Sequence, residues 1–284
     1  MNRSYLKYAG SKSRILPSIS EILMDCSDEY KLNGGELKTL VEPFFGSGVV
    51  AMNVPHGLGI YNDSNKDLID CHRAIIQNPD RVIELCEELG VGGHDTYYKN
   101  REIFRNPVRG DSIFTRAALF IYLNRFGFNG MVRYNLSGQF NVPVGKPSGD
   151  SPPLIPHGTI KYFSKNINLS ELNCYDFEEV MVNSILCGTN ATIYCDPPYV
   201  NLEKTGEIKY TKGGFNLEEQ KRLANTAEKC RDMGARVLVS NHDLPATREL
   251  YKNATRIVEI EAFRSISSKG ATRGKAKELV AIYE

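Results

Sequence analysis

The chain has 284 residues, 41 % of them apolar and 24 % charged, with a formal net charge of +1. This is the make-up of an ordinary water-soluble protein with one substantial core and space for an inserted subdomain. No apolar run reaches membrane-spanning length, the first residues lack a signal-peptide hydrophobic region, and seven scattered cysteines without a Cys-x-x-Cys pair indicate neither a disulfide framework nor a zinc site.

Along the chain, short apolar runs alternate with longer stretches of helical period, the pattern of an α/β fold with a doubly wound, mostly parallel sheet. The first predicted strand, residues 39–44, runs into Glu42-Pro43-Phe44-Phe45-Gly46-Ser47-Gly48 and then a helix-like segment over 49–53. Glycines at such a turn let the backbone approach a ligand closely. The second strand, 59–62, ends at Asp63, whose carboxylate suits the two hydroxyls of a ribose; a helix N-cap is the competing reading. From residue 66 to about 160 the strand rhythm stops. Helices are predicted over 67–77, 80–89 and 112–124, followed by a Gly/Asn/Pro-rich loop and a return linker over 143–158. Between Tyr97 and Ser170 ten Lys/Arg stand against three Asp/Glu, so this segment presents a surface suited to a polyanion.

Strands resume at 172–174 and 191–195, and a helix over 215–233, with Asn216 as its N-cap, makes the crossover to a strand at 236–240. The last two strands, 256–261 and 279–283, flank a basic stretch from Arg264 to Lys277 with no crossover helix, so they form an antiparallel hairpin at one edge. Seven strands result. The expected division is a sheet domain of residues 1–65 and 161–284, interrupted by a helical insertion over 66–160.

The strand at 191–195 ends in Asp196-Pro197-Pro198-Tyr199, which gathers a carboxylate, a backbone carbonyl held by rigid prolines and an aromatic ring. Such a cluster suits an exocyclic aromatic amine, whose lone pair is delocalised into its ring. If the Asp196 carboxylate and the Pro197 carbonyl each accept one amine hydrogen, the nitrogen is drawn toward tetrahedral geometry and its lone pair points at an electrophile. Tyr199 stacks on the base and excludes water. Cys195 points away from this pocket by strand alternation.

The chain resembles the DNA adenine methyltransferase (Dam) family of S-adenosylmethionine-dependent enzymes. The resemblance runs almost end to end: Leu6-Lys7-Tyr8-Ala9-Gly10-Ser11-Lys12, the Glu42 to Gly48 motif, Tyr122-Leu123-Asn124-Arg125-Phe126-Gly127-Phe128-Asn129-Gly130, Arg133-Tyr134-Asn135, Phe140-Asn141-Val142-Pro143, Asp196 to Tyr199, Ser240-Asn241-His242-Asp243 and Arg264-Ser265-Ile266-Ser267-Ser268. It implies a doubly wound, seven-stranded methyltransferase domain with an inserted DNA-recognition subdomain. By resemblance Lys12 and the turn Tyr8-Ala9-Gly10 hold the methionine end of S-adenosylmethionine, Glu42, Phe44 and Gly46 form the cofactor loop, and Asp63 binds the ribose. Asp196, Pro197 and Tyr199 are the catalytic set. Lys7 and Arg133 match guanine readers, Phe128 and Asn129 the pair that inserts near a vacated base, Asn135 a neighbouring DNA-facing position, and Pro143 a contact to a thymine methyl. Tyr8 and Ser11 stand where the family often has tryptophan and glycine, and Gly145-Lys146-Pro147 lacks an aromatic sometimes found there.

The implied activity is methyl transfer to the 6-amino group of an adenine flipped out of double-stranded DNA, in GATC. No metal, membrane or obligate protein partner is expected, and the place of work is the cytoplasm, at the nucleoid or in a phage host. Cytosine carbon methylation is disfavoured because no Pro-Cys nucleophile exists. Methylation of RNA or of a glutamine amide is the nearest enzymatic rival, and a catalytically silent DNA-binding protein is a rival of another class.

Overall fold

The computed structural model describes residues 2–7, 12–25, 36–91, 93–108, 110–146, 154–167, 169, 171–186, 191–199, 201–202, 208–209, 215–263 and 275–284. The chain forms two compact units: residues 12–45, 54–64 and 168–284 make the first, and residues 1–11, 46–53 and 65–167 the second.

The first unit is built on a seven-stranded sheet. With elements numbered along the whole chain, its strands are β1 (Leu37–Glu42), β2 (His56–Asn62), β3 (Glu171–Asn173), β4 (Ala191–Cys195), β7 (Arg236–His242), β8 (Arg256–Phe263) and β9 (Lys275–Tyr283), in the order β3-β2-β1-β4-β7-β9-β8. β5 (Asn201–Leu202) and β6 (Ile208–Lys209) form a separate antiparallel ribbon. The five strands from β3 to β7 pair in parallel, and β9 lies antiparallel between β7 and β8. The expected hairpin is therefore present, with β8 at the edge. Every residue of β4 is buried, as the continuous apolar run of a central parallel strand requires. Helices α1 (Leu16–Asp25), α7 (Phe177–Leu186), α8 (Leu217–Asp232) and α9 (Pro245–Leu250) belong to this unit. One core gathers Val41, Ile193, Val237 and Ala281 from the strands with Met181 and Leu223 from α7 and α8. Asn216 caps α8 through Oδ1, which accepts from Glu219 N at 3.0 Å.

The second unit contains α2 (Lys66–Gln77), α3 (Pro79–Glu88), α4 (His94–Arg105), α5 (Ile113–Phe126) and α6 (His157–Asn166). α5 is apolar nearly all round and buried from Ala117 to Asn124, so it is the central helix, with α2, α3 and α4 packed about it. Two sequence expectations are corrected here. Residues 49–53 are not helical but a pair of turns, because Asn53 Nδ2 takes the Val49 carbonyl at 2.8 Å, while the Asn53 N–H goes to Val50 O. The return linker ends at α6, which runs past residue 160 to bury Ile160 and Phe163.

Candidate functional site

In the sheet unit the chain leaves β1 toward β2 and β3 on one side and toward β4 and β7 on the other, so the β1/β4 boundary is a topological switch point, where open α/β sheets bind ligands at the carboxyl ends of their strands. Asp196 immediately follows β4 there. Its Oδ1 accepts from Lys12 Nζ at 2.7 Å, with the lysine 6 % and the aspartate 21 % exposed. Burial lifts the Asp196 carboxyl above the usual range, against the opposing pull of the Lys12 charge. The Lys12 ammonium also lies 4.3 Å from the centroid of the Tyr199 ring.

Tyr199 is fixed at both ends. Its hydroxyl donates to Glu278 Oε2 at 2.8 Å, and its ring meets His242 edge-on at 4.7 Å. His242 and Glu278 face each other in the β7–β9 register. Cys195 turns the other way, into the core beside Met181, as the alternation of the strand dictates.

Glu42 is buried at the end of β1. The loop after it is clamped by Asn62, whose Nδ2 donates to Pro43 O at 3.0 Å and to Tyr175 O at 3.1 Å, while Phe45 N donates to Asn62 O at 2.7 Å. Phe44 closes an aromatic triad with Phe177 and Phe215 at 5.3 and 5.5 Å. Arg222 grips Asp176 through both nitrogens at 2.7 and 2.8 Å and covers the Phe177 ring. Asp63 follows β2, and the residue that caps α2 is Asn65, so the N-cap reading of Asp63 is not taken up.

In the helical unit Gly46 and Gly48 adopt left-handed φ of 51° and 67°, and Gly46 O accepts from the buried His72 Nε2 at 2.9 Å. Asn124, at the end of α5, organises the N-terminal segment: Oδ1 accepts from Lys7 N, and Nδ2 donates to Lys7 O and Gly130 O, each at 2.8 Å. This sets Lys7 against the Gly127–Gly130 turn. Phe128 there is 46 % exposed, and Asn129 has φ 54°. Phe128 N donates to Pro143 O at 2.9 Å. Burial and the neighbouring Arg125 charge pull the Lys7 ammonium below its usual value.

Residues 133–141 fold back as a hairpin. Asn141 N donates to Arg133 O and Asn135 N to Gln139 O, both at 2.9 Å. Arg133 Nε and Nη2 donate to Asn141 Oδ1 and O at 2.7 and 3.1 Å. Asn135 supports the tip itself, its Oδ1 accepting from Ser137 N and Gln139 N. Tyr134 anchors the hairpin by donating to Asp67 Oδ2 at 2.8 Å, and Arg105 Nε donates to Phe140 O at 2.7 Å.

The structure thus brings Lys12, Asp196 and Tyr199 together, and Lys7 together with the 127–130 turn. Tyr8, Ala9 and Gly10, and the motif from Arg264 to Ser268, lie outside the described residues. Asn62, Glu278, Asn124 and Tyr134 hold these sites and were not singled out for a role by sequence. Each has a partner far away in sequence, Tyr175 for Asn62, Tyr199 for Glu278, Lys7 for Asn124 and Asp67 for Tyr134, and Asn124 and Tyr134 are visible in the sequence only inside motifs. Among the described residues no cluster of His, Cys, Asp and Glu is arranged to hold a metal ion, and no helix is long and apolar enough to cross a membrane.

Comparison with known proteins agrees with this geometry. The D12 class N6 adenine-specific DNA methyltransferase family matches residues 8–266. The chain is 36 % identical to the DNA adenine methylase of Escherichia coli K12, over 100 % of this chain and 96 % of that protein. It is 35 % identical to that of Salmonella typhi, over 100 % and 96 %, and 34 % identical to that of Vibrio cholerae, over 99 % and 96 %. A sheet whose switch point carries Asp-Pro-Pro-Tyr, and likeness along the full length of these enzymes, have one reading: the chain belongs to the D12 class of N6 adenine-specific DNA methyltransferases and methylates adenine in DNA.

Proposed function

We propose that the protein transfers the methyl group of S-adenosylmethionine to an adenine flipped out of duplex DNA, at GATC sites. The observation that carries this reading is the Lys12–Asp196–Tyr199 constellation at the switch point, where one lysine ammonium pairs with the half-buried Asp196 carboxylate and lies over the Tyr199 ring, itself anchored on Glu278.

The residues present fit the cofactor by their donor chemistry. In the sheet unit, Asp63 after β2 offers a carboxylate to ribose hydroxyls and Lys12 supplies a cation for the methionine carboxylate. When bound, the sulfonium supplies an electrophilic methyl, so the work of the protein is alignment. Asp196 and the Pro197 carbonyl accept the two amine hydrogens and direct the nitrogen lone pair. Tyr199 lies against the base and holds its plane. The Lys12 charge opposes the effect of burial on Asp196 and so favours its accepting, ionised form.

In the helical unit the proposed DNA-reading residues are Lys7, Phe128, Asn129, Arg133, Asn135 and Pro143. Arg133 and Lys7 carry the donors that meet the major-groove acceptors of guanine, and exposed Phe128 fills stacking space when the base leaves the helix, offsetting an unstacking cost of a few kcal/mol. Mapping of modified adenines in DNA from cells expressing the protein tests the assignment. Modification confined to GATC is expected; modified adenines in other contexts alone would remove it.

A further inference from the structure

The turn after β4 has little means of holding itself. Residues 197 and 198 are both proline, so neither has an N–H, and their rings fix φ near about −65°. A residue before proline is confined to extended ψ, which restricts ψ of Asp196 and of Pro197 as well. Between Asp196 and the Tyr199 peptide, ψ of Pro198 is then the soft torsion. It directs the Pro198 carbonyl, and that carbonyl accepts a hydrogen bond of 2.8 Å from Gln220 Nε2.

Gln220 lies in the first turn of α8 and is 1 % exposed. A carbonyl only accepts, so the amide nitrogen faces Pro198 and Oε1 faces away. There Oε1 accepts from Asn241 Nδ2 at 3.1 Å and from the Tyr251 hydroxyl at 3.2 Å, and Asn241 Nδ2 also donates to that hydroxyl at 3.0 Å. Asn241 sits in β7 and Tyr251 closes α9, both fully buried. Two donors on one side of the amide and one acceptor on the other lock it in the orientation that holds Pro198.

We propose that Gln220, oriented by Asn241 and Tyr251, is a positioning residue for methyl transfer: it fixes the Pro198 torsion and thereby the Tyr199 ring relative to Asp196 and the Pro197 carbonyl. This rests on the reading of residues 196–199 as the amine pocket. Without the bond, the ring and the acceptors lose their common geometry, which slows the chemical step while the surfaces that bind cofactor and DNA stay in place.

The test is single-turnover methyl transfer to a GATC duplex by the full chain carrying Gln220→Leu, with equilibrium affinities for S-adenosylmethionine and for the duplex measured beside it. The rate is expected to fall about 10-fold or more, as loss of one buried hydrogen bond implies, with both affinities within about twofold of wild type. Tyr251→Phe, which loosens the amide and spares its bond to Pro198, is expected to lower the rate by a smaller factor, and it decides the matter if Gln220→Leu does not fold. An unchanged rate in either variant overturns the proposal, as does a parallel loss of rate and both affinities. Asp196→Ala run alongside separates the two claims. Full transfer by that variant overturns the pocket itself, whereas a dead Asp196→Ala beside a full-rate Gln220→Leu overturns only the role of Gln220.

Discussion

Gly130→Ala isolates the contact that sets the N-terminal segment against the 127–130 turn. Gly130 has φ +64°, and a Cβ built there meets Lys7 Cβ at 2.3 Å, Lys7 O at 2.6 Å and Lys7 C at 3.1 Å. Two of the three are backbone atoms, and the Lys7 backbone is pinned at both N and O by Asn124, so the segment cannot yield without breaking those bonds. The left-handed backbone alone costs roughly 1–2 kcal/mol for a residue with a Cβ, and forced overpacking adds about 1–3 kcal/mol. Gly138 is the internal control, because its φ of +72° carries the same backbone strain while nothing lies within 4 Å of its Cβ. Urea unfolding should therefore show Gly130→Ala destabilised by roughly 3 kcal/mol and Gly138→Ala by about 1 kcal/mol. Gly130→Ala should also lose more affinity for a GATC duplex, since Lys7 is displaced. Equal destabilisation by the two variants would refute the argument.

Arg222 draws the Asp176 carboxyl below its ordinary value of 3.8, so the pair stabilises the fold fully above that pH and is lost as pH falls through the depressed folded value. Urea midpoints from pH 6 down to about 2.5 should fall more steeply for wild type than for Arg222→Ala; identical slopes would mean that the pair contributes nothing to acid stability. Burial pushes the Cys71 thiol up to about 12 and the Cys230 thiol up to about 11, whereas Cys174 is half-buried. Native-state alkylation read by peptide mass spectrometry should label Cys174 well before Cys71 or Cys230, and labelling of all three at one rate would contradict that order. Arg133→Ala should relax discrimination at one guanine by about 1–3 kcal/mol in competition between GATC and singly substituted duplexes, while equal weakening on every sequence would mark Arg133 as a phosphate contact.

What the sequence made legible was what local spacing encodes. β4 shows as a continuous apolar run because a central parallel strand is buried on both faces, and the tetrapeptide that ends it marks the switch point. α8 announces itself through Asn216 and an apolar period, and its ends lie within two residues of expectation. α4 escaped, because a helix that buries only Tyr97, Asn100 and Phe104 among charged residues carries little apolar period. The misread turn at 49–53 has the reverse cause: Val49 to Met52 look like a buried helical face, and the Asn53 side chain breaks the ladder. The clamps of the site have no local signature at all. His242 and Glu278 become neighbours only through antiparallel register, and Gln220 reaches Pro198 only once α8 lies on the sheet.

The central claim is that two fixed acceptors, the Asp196 carboxylate and the Pro197 carbonyl, convert an unreactive aromatic amine into a nucleophile. Rapid-quench methyl transfer by Asp196→Ala, with duplex affinity measured in parallel, addresses it most directly. The account predicts a rate at least ~100-fold below wild type with DNA binding largely kept; transfer at close to the wild-type rate would contradict it.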